Sequence, residues 1–175
     1  MANREALREL QTRLATRLQA ARTQGVSVAW LAVRAKGQNY LFPLVQSGEI
    51  FALSQLQPVP YVLPWYRGVL NIRGGLYGVV DLAAFVTGDF SSSATASSGE
   101  ASVVTLNAAL EVNCALQVDS LLGLRAAEAF VSSTAPDAGA PGYFGNRFVD
   151  AAGDLWQEIN LRTLAQDPNF LNIRA

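Results

Sequence analysis

Histidine is absent from the 175-residue chain, which removes the imidazole base of Ser-His-Asp and Cys-His sites and every histidine-ligated metal. One cysteine, Cys114, permits neither an internal disulfide nor a Cys-x-x-Cys metal or redox pair, a usage that fits a reducing compartment. Gly68, Gly74, Gly75 and Gly78 gather in one stretch, but their spacing matches neither Gly-x-Gly-x-x-Gly nor the Walker loop with its Lys-Ser/Thr, so they read as glycines at tight turns between strands. The carboxylates Glu49, Asp81, Glu111 and Asp119 are scattered singly. Nothing in their spacing brings two within the few ångströms that would push their pKa values apart for acid and base work. Asp150 and Asp154 lie near glycines, as turn aspartates do. No catalytic constellation, metal site or cofactor site is expected.

The charge balance narrows the partners further. Thirteen basic and fourteen acidic residues leave a net charge of −1, and Lys36 is the only lysine, so the basic footprint of a phosphate-backbone binder is missing. Half of the residues are hydrophobic and 15% are charged, a composition that packs rather than one that stays disordered. No apolar run approaches the roughly 20 residues needed to cross a bilayer. The opening Met-Ala-Asn-Arg-Glu has no apolar signal core. The expectation is a cytoplasmic protein with no membrane insertion and no nucleic-acid partner.

The elements that must carry any function follow from periodicity. Leu7, Leu10, Leu14 and Leu18 recur at three- and four-residue spacing, with Glu9 four residues ahead of Arg13, and predict an amphipathic helix over residues 4–22. Such a helix could dock a partner or a membrane surface with its arginines, but at this length it needs tertiary contacts, which favours packing of the leucine stripe on its own domain. After Gly25 come short apolar runs, Val26 to Val33, Tyr40 to Val45 and Ile50 to Leu56, separated by turn formers. Residues 110 to 118 alternate Leu110, Val112, Cys114, Leu116 and Val118 with polar or small residues, predicting one strand with one apolar face and Cys114 as a small buried hydrophobe. Residues 87–102 and 132–142 read as flexible loops. The fold class is mostly β, a barrel or sandwich, with a helix and linker over 1–25, one domain over 26–175, and a short helix near the C-terminus.

The stretch from Pro64 to Leu82, Pro-Trp-Tyr-Arg-Gly-Val-Leu-Asn-Ile-Arg-Gly-Gly-Leu-Tyr-Gly-Val-Val-Asp-Leu, resembles the signature of the CheW-like family of bacterial chemosensory coupling proteins. Gly68, Asn71, Arg73, Gly74, Asp81 and Leu82 occupy matching positions. The match extends upstream through Glu49-Ile50 to the strand around Val28, and Leu116-Gln-Val-Asp-Ser-Leu resembles a downstream stretch, so that residues 26 to 165 are covered. The family's usual proline before Val-x-Asp-Leu is Gly78 here. The leading helix, Trp156 and the Asp-Pro-x-Phe-Leu ending at Leu171 resemble the PilI branch, which serves type IV pilus twitching systems.

The resemblance implies two small five-stranded SH3-like barrels sharing a core, no enzymatic activity and no cofactor. It also implies an adaptor that holds the regulatory domain of a CheA-type histidine kinase against the cytoplasmic tips of chemoreceptors, recruited to membrane-associated arrays. The residues it assigns to partner binding are Arg73, Asn71, Gly74, Glu49 and Ser47, although position 47 is usually apolar in the family. Read from the residues, Arg73 either clamps carbonyls at the following turn or reaches an acceptor on a partner. Asn71 reads as a turn-stabilising amide and Asp81 as the N-cap of a short helix. Trp65 and Tyr66 read as core, although their types also dominate interfaces. Two rival functions are an oligonucleotide-binding barrel, which would need exposed aromatics among basic residues, and a carbohydrate-acting enzyme built on carboxylates.

Overall fold

The structure, a computed structural model, describes residues 2–24, 28–91 and 101–175, with side chains described at 5–19, 29–91 and 101–175. Helix α1 (Ala2–Gln24) opens the chain. Eleven strands follow: β1 (Val28–Ala35), β2 (Gln38–Pro43), β3 (Ser47–Ala52), β4 (Tyr66–Ile72), β5 (Gly75–Asp81), β6 (Ser102–Leu106), β7 (Cys114–Val118), β8 (Ser120–Ala126), β9 (Phe130–Thr134), β10 (Phe144–Asp150) and β11 (Leu155–Ile159). Three short helices complete the fold: α2 (Leu82–Thr87) after β5, then α3 (Leu161–Leu164) and α4 (Pro168–Leu171) at the end. The chain is mostly β, as its turn-punctuated apolar runs predict.

The strands form two sheets. One has six strands in the order β8-β1-β2-β11-β10-β9, one more than the five expected, and the other has five in the order β3-β6-β7-β5-β4. Each sheet is rolled. β3 and β4 are opposite edges of the second sheet, yet the chain leaving β3 still donates from Leu53 N–H to Ala101 beside β6 and by Gln57 has reached β4, where Gln57 and Val69 exchange backbone hydrogen bonds of 2.9 Å. In the first sheet the edge strands β8 and β9 are joined by a single 3-10 turn, and Leu122 and Phe130 from those edges pack with Trp30, Leu41, Phe148 and Trp156 inside.

Parity along the strands decides which core each side chain enters, because successive side chains point to opposite faces. On β6 and β7, Val104, Leu106, Cys114, Leu116 and Val118 join the large core shared by both sheets, while Val103 and Ala115 enter the barrel of the second sheet with Leu70, Ile72 and Val79. β7 is therefore buried on both faces, and Ala115 is as inaccessible as Leu116. This corrects the one-faced strand predicted over 110–118. Ala108–Leu110 form a 3-10 turn, Glu111 has a positive φ of 58°, and pairing begins only at Cys114. The predicted loops are also shorter than expected: β9 runs to Thr134, α2 ends at Thr87, and Ser102 is buried at the start of β6. The central part of the 87–102 loop, residues 92–100, lies outside the described residues, as does the linker at Gly25.

Helix α1 lays its stripe on its own molecule. Leu14 and Leu18 are buried in the shared core, Leu7 is half-buried and Leu10 is exposed, and Gln11 Nε2 donates to Ser102 Oγ at 2.8 Å. α2 is capped as its sequence predicts, with the Asp81 carboxylate accepting from Ala84 N–H at 3.0 Å. Asp167 caps α4 in the same way, accepting from Asn169 and Phe170 N–H.

Cys114 is buried in the shared core, and burial pushes its thiol up from 9.0 to about 12. The thiolate is the reactive species, so the native protein at pH 8 is expected to react with an aromatic disulfide reagent only at its unfolding rate. The unfolded chain releases this proton near its ordinary value while the native one holds it to about 12, so native stability falls as pH rises from about 9 towards 12. Prompt stoichiometric labelling of folded protein is the contrary result.

Candidate partner-binding site

The strands β4 and β5 meet in a two-residue hairpin, with Ile72 paired to Gly75 and Arg73-Gly74 between them. Arg73 has a φ of 50° and Gly74 of 85°, the positive values that a type I′ turn requires at both central positions. Asparagine is the usual first residue of such a turn, and an arginine held there is a backbone compromise. Asn71 relieves it, its Oδ1 accepting from Gly74 N–H at 3.0 Å. The amide thus stabilises the turn, as the residue type suggests.

The Arg73 guanidinium goes to Glu49 rather than to turn carbonyls. Its Nη1 lies 3.0 Å from one carboxylate oxygen and 2.9 Å from the other. Its Cζ stands 5.6 Å from the centroid of the Phe51 ring, a cation over an aromatic face. Both charged side chains are open to solvent, Arg73 at 72% and Glu49 at 49%. An ion pair this exposed is worth about 1 kcal/mol or less. The pair therefore presents a charged, preorientated guanidinium at the rim of the second barrel more than it holds the barrel shut.

Glu49 is held in place from below. Its N–H donates to Thr105 Oγ1 at 2.7 Å, and Thr105 is buried on the neighbouring β6. That approach requires glycine at 48, where a Cβ would land on the Thr105 side chain and on the backbone oxygens of Thr105 and Leu106. Ser47 is a correction. It is fully buried with its Oγ donating to Pro43 O at 3.0 Å, so its hydroxyl serves the turn into β3 and offers no surface to a partner. Arg73, Asn71, Gly74 and Glu49 come together at one exposed rim; Ser47 does not join them.

Trp65, just before β4, and Tyr66, its first residue, pack on the shared core. Trp65 is buried against Phe85 and Phe170, with centroids 4.9 Å and 6.3 Å away. Half-buried Tyr66 packs its ring on Gly78, where a Cβ would collide with the phenol. That contact accounts for glycine at position 78. Burial, and secondarily Cys114, raises the Tyr66 phenol above its ordinary value.

Asp119, Asp89 and Asp150 each accept hydrogen bonds from turn backbone. Asp119 accepts from Lys36 N–H at 2.6 Å. Asp89 is held well below the usual carboxylate range by hydrogen bonds from the Lys36 ammonium and from Ser91. Asp150 is lowered chiefly by the Trp156 indole N–H at 3.0 Å, and it also accepts from Ala152 and Asp154 N–H in the β10–β11 turn. Among the described residues no three Cys, Asp or Glu side chains gather closely enough to hold a metal ion, and no helix is long and apolar enough to cross a membrane.

Residue reasoning missed Phe51 and Thr105. The signal available was their strand parity with Glu49 and Val103, but nothing local placed β3 beside β6 or beneath the β4–β5 turn.

Two rolled sheets share a common core, and one charged turn stands at the rim of the second barrel. Residues 29–167 match the CheW-like domain, and the chain belongs to the CheW-like family. Over 74 residues it is 31% identical to Protein PilI of Pseudomonas aeruginosa, a stretch covering 42% of this chain and 42% of that protein. The crystal structure of the scaffolding protein TtCheW from Thermoanaerobacter tengcongensis is similar with a TM-score of 0.60 at 12% identity, covering 75% of this chain and 88% of that one. The fold is thus shared with a solved scaffolding protein.

Proposed function

We propose that this protein is a non-enzymatic adaptor that couples chemoreceptor tips to the regulatory domain of a CheA-type histidine kinase, in a chemosensory system controlling pilus-based twitching. The observation that carries the reading is the exposed Arg73–Glu49 pair on the signature turn of a chain matched to the CheW-like domain over residues 29–167. The similarity to PilI supports the pilus assignment. Arg73, Glu49, Asn71 and Gly74 form the contact, with Arg73 contributing the fork geometry that fits carboxylates and carbonyls bidentately. The adaptor works from the cytoplasm and is drawn to receptor arrays at the membrane. Isothermal titration of this chain with the kinase's regulatory domain should give micromolar affinity, about −8 kcal/mol. Absence of heat at several hundred micromolar, with both proteins folded, sinks the reading.

A further inference from the structure

We propose that an open cleft of about 660 Å³ beside the C-terminal helices binds a small organic cation, an arylalkyl amine in its ammonium form, with Asp167 as its counter-charge. The proposal goes beyond the adaptor reading and does not rest on it.

The cleft lies where α2, the segment entering β10 and α4 come together, and its size is that of ordinary ligand pockets. Its rings come from Trp65, Phe85, Phe90 and Tyr143. Trp65 and Phe85 meet edge to face with centroids 4.9 Å apart, and Phe85 stands 5.6 Å from Tyr143, so these three form one contiguous aromatic cluster. Phe90 is 51% exposed on the same cleft.

Charge decides the sign of the ligand. Asp167 is the one charged side chain among the described residues that line the cleft, and among them no lysine or arginine pairs with it. Its Oδ1 is committed to the cap of α4, accepting from Asn169 and Phe170 N–H at 2.8 Å and 3.3 Å. The cap fixes a half-buried carboxylate in place without neutralising it. Tyr143 adds a second oxygen. Its side chain lines the cleft at 6% exposure, yet its hydroxyl has no hydrogen-bond partner among the described residues, an arrangement that native structures rarely leave unanswered. Burial first, and then the charge of Asp167 and the neighbouring Tyr40, push this phenol up to about 12, so it stays neutral and the carboxylate carries the charge alone.

A carboxylate and a phenol oxygen without a cation, set beside aromatic rings, are the complement of an ammonium group on an apolar body. The N–H groups meet the oxygens and the charge meets the carboxylate, while the apolar body and the cation both gain from the rings. An anion would be repelled by Asp167, and a neutral ligand of the same shape would leave the carboxylate unpaired.

The test titrates the isotope-labelled full chain with phenethylamine at neutral pH and follows its amide resonances. Those of Phe85, Gly88, Tyr143 and Asn169 are expected to shift to saturation at millimolar amine, and phenethyl alcohol, the neutral counterpart, to bind about fivefold or more weakly. Asp167→Asn removes the charge and keeps the cap, because asparagine caps as well as aspartate does. It should melt with the wild type and bind the amine no better than the alcohol. Absence of shifts around the cleft overturns the proposal, as does equal affinity for amine and alcohol, or undiminished amine binding by folded Asp167→Asn. Should that variant fail to fold, the comparison of amine with alcohol on the wild-type chain decides. Nα-acetyl-lysinamide, an ammonium on a flexible stem without a ring, should also bind about fivefold or more weakly than phenethylamine; equal or tighter binding would assign the cleft to a lysine of another protein and overturn the small-amine site.

Discussion

Replacing Gly68 by alanine is expected to lower stability by about 3 kcal/mol or more, among the larger effects a single methyl can have. Two independent constraints meet there. Gly68 has a φ of 134°, a region that only glycine populates freely. It also sits inside the barrel at a bulge, where the register of β4 on β5 shifts between Tyr66 and Gly68, and an added Cβ would strike the Gln57 carbonyl. That carbonyl is not free to move, because it accepts from Val69 N–H in the bridge that closes the barrel. For a chain of this size the loss corresponds to a fall of about 6 to 12 °C in melting temperature. Gly74→Ala separates the two causes: φ is 85° there, but nothing lies within 4 Å of the new Cβ, so only strain of about 1 kcal/mol applies. Equal, small shifts in both variants would show that the closure at Gln57 yields readily.

Charge reversal at the hairpin should do the opposite, leaving the fold and removing the function. Arg73→Glu sets a second carboxylate beside Glu49, but both positions are substantially exposed, so stability should change by about 1 kcal/mol or less. Association with the kinase domain or the receptor tip should weaken at least a hundredfold, about 2.7 kcal/mol, since like charges at a contact repel and the bidentate donor is gone. Arg73→Asn sharpens the result. Asparagine suits the positive φ of 50° at this turn, so this variant should melt at or slightly above the wild-type temperature and still bind poorly. Calorimetry and thermal melting on the two purified variants measure both quantities. Full affinity in a folded Arg73→Glu protein would remove Arg73 from the interface. A large loss of stability would instead give the guanidinium a structural role that its exposure argues against.

Much of the molecule is legible along the chain wherever the cause is local. The leucine spacing at 7, 10, 14 and 18 specifies α1, because a 3.6-residue period allows no other regular structure to gather those side chains. Asp81 before Leu82-Ala-Ala and Asn71 before Arg73-Gly74 announce a cap and a turn, because each side chain reaches backbone two or three residues away. The absence of histidine and the lone cysteine bound the chemistry by composition alone.

What tertiary structure decided is everything that depends on which strands become neighbours. β7 looked one-faced because Ala115 and Gln117 are small or polar, yet rolling the second sheet buries both of its faces between two cores. Ser47 and Glu49 stand two residues apart on β3, a spacing that strand alternation alone would place on one face. The irregular register of β3 on β6 between Ser47 and Ile50 instead leaves one in the interior and the other at the rim. Arg73 meets Glu49 only because the chain after β3 crosses to β4 at Gln57, bringing opposite sheet edges together across 24 residues of sequence. Residue type and local spacing determined the elements and the chemical vocabulary. Barrel closure, a contact between segments with no local reason to meet, determined which of those residues face a partner.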